Sequence, residues 1–237
     1  MKDFSNNRRR FLINSGLFIA GTTVIGNNLF GKTLLKPAKL FLEEKVSPAE
    51  DLMREHGVLK RVLLVYQEII DRIYSKKDFP ADVVVDSAKI IRNFIEDYHE
   101  KLEENYLFPR FKKANTLVHL VDTLTIQHQK GRIVTDRILN LAKNNFTTDD
   151  DRKRLRRILY SFIRMYSPHE AREDTVLFPA FKKIVSENEY DSLGEEFEDK
   201  EHELFGQDGF EMMVDKVARI EKRVGIYDLS KFTPKIT

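Results

Sequence analysis

Leu52, Leu59, Val62, Leu63, Tyr66, Ile69, Ile70 and Ile73 recur at the three- and four-residue steps that line up side chains on one face of an α-helix. Ser47-Pro48-Ala49-Glu50 supplies the start of that helix: a serine N-cap, a proline in the first turn and a glutamate three residues after the cap. The pattern predicts a first helix ending near Tyr74, before the polar turn Ser75-Lys76-Lys77-Asp78-Phe79-Pro80. A second periodic run covers residues 81 to about 108, where Pro109 marks an end or a kink. A third covers about 117–143, a polar stretch at 144–151 interrupts, and a fourth continues to about 178. Four long amphipathic runs joined by short polar turns predict an all-α fold, an antiparallel up-down four-helix bundle.

Beyond it, residues 186–237 predict a helical C-terminal extension, with two helices around Gly206 and Gly209 and the second at about 210–223. Phe197, Leu204, Phe205, Phe210, Met213, Val217 and Ile220 give it an apolar stripe that must pack on the bundle or on a second subunit.

The N-terminal segment is of another kind. Arg8-Arg9-Arg10-Phe11-Leu12 precedes a stretch without charge, 11–30, that contains Gly16, Gly21 and Gly26. This resembles a twin-arginine export signal and is a poor permanent membrane span. The expected organisation is a signal and linker at 1–46, the bundle at 47–185 and the extension at 186–237, with the mature protein outside the cytoplasm, or tethered to the membrane if the signal is retained.

Composition narrows the chemistry. Lys and Arg (40) nearly balance Asp and Glu (38), so no strong net field points to nucleic acid as a partner. Cysteine is absent, which excludes disulfides, thiolate zinc sites, cysteine-bound iron–sulfur clusters and covalent haem attachment. Any metal must sit on histidine, carboxylate or backbone oxygen.

An internal repeat supplies those ligands. His99-Glu100-Lys101-Leu102-Glu103 leads to Leu107-Phe108-Pro109-Arg110-Phe111-Lys112-Lys113, and 70 residues later His169-Glu170-Ala171-Arg172-Glu173 leads to Leu177-Phe178-Pro179-Ala180-Phe181-Lys182-Lys183. His56 and His128, 72 apart, occupy corresponding places in the preceding helices. The bundle therefore reads as two helical hairpins related by an approximate two-fold axis. In a helix, residues four apart share a face, so His99 with Glu103, and His169 with Glu173, each present an imidazole and a carboxylate in one direction. In an antiparallel hairpin, residues equidistant from the turn lie level. The midpoints of His56/His99, His99/His128 and His128/His169 fall in the three predicted connections, which puts all four histidines in one layer. Imidazole suits iron, zinc or copper, and carboxylates can bridge two cations.

At these residues the chain resembles the hemerythrin-like (HHE cation-binding) family, with His on the first helix, HxxxE on the second, His on the third and HxxxE on the fourth. The resemblance covers about residues 47–184 and implies a pair of non-haem iron ions, oxo- or hydroxo-bridged, on His56, His99, Glu103, His128, His169 and Glu173. It further implies a small diatomic or peroxide ligand: dioxygen, nitric oxide or peroxide. Oxygen-carrying hemerythrins have a second histidine where this chain has Arg132, and HxxxxD where it has HxxxE. Both differences place the chain nearer the four-histidine, two-glutamate branch. Iron storage or delivery, and iron–sulfur cluster repair, are the alternative functions.

Other polar residues fall outside this set. His119 lies two and a half turns before His128, off the ligand layer, and His202 sits on a charged segment outside the repeat; both read as structural. Glu100 and Glu170, next to ligand histidines, are candidate acceptors for ring N–H groups. Tyr66, Tyr98, Tyr106 and Tyr166 could line the site, with core packing as the plainer reading. Pro168, just before His169, predicts a kink there, or a helix restarted by a Ser167-Pro168-His169-Glu170 capping box.

Overall fold

The computed structural model describes residues 46–206 and 209–236. Six helices follow in chain order: α1 (Pro48–Tyr74), α2 (81–113), α3 (Val118–Ala142), α4 (149–184), α5 (Glu187–Phe205) and α6 (Gly209–Val224), then a short 3-10 turn, Leu229–Phe232. Among the described residues there is no strand, and no helix is long and apolar enough to cross a membrane. The arginine-led N-terminal motif lies outside the described residues.

Capping chemistry fixes the helix starts. The Ser47 hydroxyl accepts the Glu50 N–H at 3.3 Å, Thr148 accepts that of Asp151 at 3.0 Å, and Ser186 that of Glu189 at 3.2 Å. The turns use left-handed backbone at Lys76, Asn115, Leu117, Asn145 and Phe146. Asparagine tolerates that conformation; Phe146 is held in it by burial against Phe79, ring centroids 5.8 Å apart.

Two predicted interruptions are not made. Pro109 does not end α2, which runs on to Lys113, nor does Phe178 end α4, which reaches Ile184. In both copies of the Leu-Phe-Pro repeat a π-helical turn intervenes, Glu103–Leu107 and Glu173–Leu177, where the N–H of Phe108 or Phe178 donates five residues back to the Glu103 or Glu173 carbonyl. The wider turn carries the chain past a proline ring that would strike the carbonyl four residues behind it. Each wide turn begins at a glutamate of the repeat. At Pro168 the α-helix Asp149–Arg172 is continuous, so no capping box restarts it. That proline lies on the exposed side, where a carbonyl without its helical donor can turn to water.

α1 packs along α4, α3 lies against α4 and α2, and α6 covers α1 and α2. The C-terminal stripe thus packs on the bundle, through Met213, Val217 and Ile220. Arg61 clamps Glu221 with two hydrogen bonds, 2.9 and 2.5 Å. Phe205 meets Phe94 and Tyr98 edge-on. Leu204 departs from the predicted stripe and is 56% exposed.

Candidate metal centre

All six repeat-derived residues meet in the core, and none is more than 4% exposed. Glu103, His128, His169 and Glu173 form one group with potential ligand atoms within 4.8 Å of one another, and His56, His99 and Glu103 form a second. Glu103 belongs to both. Its Oε2 lies 3.4 Å from His128 Nε2 and 3.7 Å from His99 Nε2. Glu173 Oε2 lies 3.1 Å from His169 Nε2 and 3.4 Å from His56 Nε2. The Nε2 atoms of His128 and His169 face each other at 3.2 Å.

Each imidazole is aimed by its other nitrogen. Nδ1 of His56 meets Asp174 at 2.7 Å, that of His99 meets Glu55 at 2.7 Å, that of His128 meets Glu104 at 3.1 Å, and that of His169 meets Gln127 at 2.8 Å. An oxygen acceptor at Nδ1 fixes each ring and, in the neutral imidazole that binds a metal, keeps the proton on Nδ1 and turns the Nε2 lone pair inward. Two phenylalanines of the repeat complete the clamp: Phe108 stacks on His128 at 5.4 Å and Phe178 on His56 at 5.5 Å.

These four acceptors were missed in the sequence, where Glu100 and Glu170 stood as candidates. Glu100 instead accepts the Tyr166 hydroxyl at 2.7 Å and pairs with Arg132 at 2.7 Å, and Glu170 touches no ring nitrogen among the described residues. The signal was nonetheless present. Glu104 and Asp174 are 70 apart, like the HxxxE motifs, and Glu55 and Gln127 are 72 apart, like His56 and His128. Lys60 and Arg132, also 72 apart, extend the symmetry: each binds the acceptor supplied by the other hairpin, Asp174 at 3.0 Å and Glu104 at 2.8 Å. Arg132 thus occupies an outer layer and does not reach the inner cluster.

Among the tyrosines, Tyr166 alone joins this network. Tyr98 and Tyr106 pack under α5, with Tyr106 edge-on to Phe197, and Tyr66 packs edge-on to Phe162. His119 is exposed, and His202 is half-buried on α5.

The electrostatics mark this as a place for cations. Both carboxylate oxygens of Glu103 and of Glu173, and Nε2 of His99, are buried without a hydrogen-bond partner among the described residues. Burial and the neighbouring Glu173 push the Glu103 carboxyl well above the usual range. Glu173 is held well below it: burial opposes ionisation, but His169 and His56 outweigh it. For His56, burial is overcome by the Asp174 and Glu173 carboxylates, which raise its imidazole to about 9. Burial keeps His99 and His128 neutral, with His56 adding to the effect at His99. Leaving ionisable oxygens buried and unpaired is costly. Positive charge at the centre relieves that cost, and the donor set of neutral imidazole and carboxylate fits first-row divalent metals.

The Hemerythrin HHE cation binding domain matches residues 47–181, more than half of the chain. The chain belongs to the hemerythrin HHE cation-binding family. Uncharacterized proteins of Mycobacterium bovis and of Mycobacterium tuberculosis strains CDC 1551 and H37Rv are each 51% identical to it over 193 residues, covering 81% of this chain and 76% of theirs. No solved structure matches the chain significantly. The HHE match takes in α1 to α3 and α4 as far as Phe181, and so contains every residue of the two metal-fitting groups.

Proposed function

We propose that this HHE protein holds two non-haem iron ions on His56, His99, Glu103, His128, His169 and Glu173, in an antiparallel up-down bundle of α1–α4, and binds or reacts with dioxygen, nitric oxide or peroxide. The observation that carries the reading is the shared carboxylate. Glu103 reaches histidines of both groups, as a ligand between two cations must. When bound, the ions supply redox chemistry and an open coordination position.

The protein's own residues set what that chemistry can do. Asp174, Glu55, Glu104 and Gln127 fix the four imidazoles so that their Nε2 lone pairs converge. Phe108 and Phe178 lay apolar faces against His128 and His56, which shields the cluster from water. Burial of every ligand favours retention of the metal over the ready exchange that storage or delivery requires. We also propose export by the twin-arginine route from Arg8 to Leu12; that route would carry the folded protein with its centre assembled, away from cytoplasmic cluster repair.

Stopped-flow mixing of the reduced, iron-loaded protein with each reactant tests this. A rapid optical change with at least one of them is expected. No change with any of the three, together with ready transfer of iron to a chelator, would establish storage or delivery in its place.

A further inference from the structure

The net charge of +2 conceals a segregation. Residues 123–148 and 152–169, most of α3 and half of α4, carry ten Lys and Arg and one acid, Asp136, which is bound by Arg92 at 2.7 Å; Asp149, Asp150 and Asp151 lie between the two runs. α5, packed on α1 and α6, carries nine acids and one base.

The basic residues are not scattered. Arg137 from α3 and Arg154 and Arg157 from α4 line one surface cleft across the seam of the two helices, over Leu141 and Ile158. Arg154 reaches the exposed Asp150 at 2.9 Å, a contact of little worth in water. Neither Arg137 nor Arg157 has a carboxylate partner among the described residues. Asp151 also lines the cleft, so three guanidinium groups face one carboxylate there, and an anionic surface laid against it meets the positive charge left over.

Large apolar side chains are exposed beside them. Ile126 and Ile133 are 55% and 44% exposed and fall with Lys130 and Arg137 on one outward stripe of α3, at steps of four, three and four. Tyr160, 58% exposed, follows Arg157 by one turn of α4. A phosphate backbone meets the charges and gives the isoleucines nothing, whereas an acidic protein would need an apolar stripe matched to theirs. A bilayer offers anionic headgroups at the level of the arginines and apolar depth for Ile126, Ile133 and the tyrosine ring. The stretch without charge at 11–30, if it serves as the export signal or tether expected from the sequence, would bring the chain to the same kind of surface.

We infer that the outer face of α3 and α4 is a docking surface for an anionic lipid bilayer, with Arg137, Arg154 and Arg157 on the headgroups and Ile126, Ile133 and Tyr160 at the interface. This stands apart from the metal reading, since none of these residues belongs to the ligand cluster.

The test is co-sedimentation of the full chain with vesicles of phosphatidylcholine, with and without phosphatidylglycerol. Phosphatidylglycerol is expected to strengthen binding, and added salt to weaken it. R137E/R154E/R157E should lower the gain roughly a hundredfold, on the scale of three surface charges at low salt, and leave binding to phosphatidylcholine alone unchanged. I133S/Y160S, with every charge kept, should weaken binding while preserving its salt dependence. Helical content and metal content report whether each variant folds, and R137Q/R157Q replaces the triple variant if it does not. Equal binding of wild type and charge variants to phosphatidylglycerol vesicles would overturn the inference. So would no gain from phosphatidylglycerol, or displacement from the vesicles by an equal charge of duplex DNA.

Discussion

Replacing Glu103 by leucine is expected to abolish metal uptake at both groups while making the metal-free protein more stable. Glu103 is fully buried, its two oxygens accept no hydrogen bond among the described residues, and it is the residue common to the two groups. Without a cation, burial and then the charge of Glu173, the two largest of the causes that raise its pKa, drive that carboxyl toward its neutral form at a cost to the fold. Leucine fills a similar volume and needs no partner. A buried polar group left unsatisfied costs about 1–3 kcal/mol, so the denaturation midpoint of metal-free E103L should rise by an amount of that order. The metal-loaded comparison should run the other way, because wild type gains stability from binding and E103L does not. Equal metal content in the two proteins would remove Glu103 from the ligand set. A large loss of stability in metal-free E103L would show that the carboxylate serves the fold and not a cation.

The second large effect is expected at Gly131, between His128 and Arg132 on α3. A Cβ placed there would lie 1.9 Å from the Tyr166 hydroxyl oxygen and 2.8 Å from the ring carbon that bears it. Tyr166 has no room to retreat. Its ring packs on Phe162 at 4.4 Å and on His169 at 5.4 Å, and its hydroxyl donates to Glu100 at 2.7 Å. In an exposed helix, alanine in place of glycine stabilises by about 1 kcal/mol. Here overpacking costs about 1–3 kcal/mol, and displacing the hydroxyl from a buried carboxylate costs about 1.5–3 kcal/mol more. The sign therefore reverses, and G131A should lose about 1.5–5 kcal/mol net. Tyr166→Phe removes the atom in closest conflict, so G131A/Y166F should be less destabilised than the two single changes added together. Strict additivity in chemical denaturation would place the strain elsewhere.

The sequence disclosed the inner site because its constraints are periodic. A four-residue spacing fixes which face of a helix a His and a Glu share, and equal distances from three turns fix their height, so the six inner residues could be named without coordinates. The outer layer obeys the same repeat, at Glu55 with Gln127 and Glu104 with Asp174, but these residues lie beside one of the six inner residues in sequence and reach a histidine of a different helix. Which helix that is depends on the rotation of each rod about its axis, and spacing within one helix does not contain it. Glu100 illustrates the difference: one step from His99, it turns toward Tyr166 and Arg132. The prolines misled for a related reason. A local rule gives Pro109 as an end or a kink; the end is not made, because a π-turn at Glu103–Leu107 carries the helix on to Lys113, with Phe108 and Phe111 buried in the core. Pro168 is tolerated because it faces water.

Metal analysis with Mössbauer spectroscopy, on the full chain produced in iron-replete cells with isotopically enriched iron, tests the paired centre most directly. Two irons per chain, magnetically coupled in the oxidised protein, are the predicted result. Zinc or copper in their place, a single uncoupled iron, or no metal at all would contradict it.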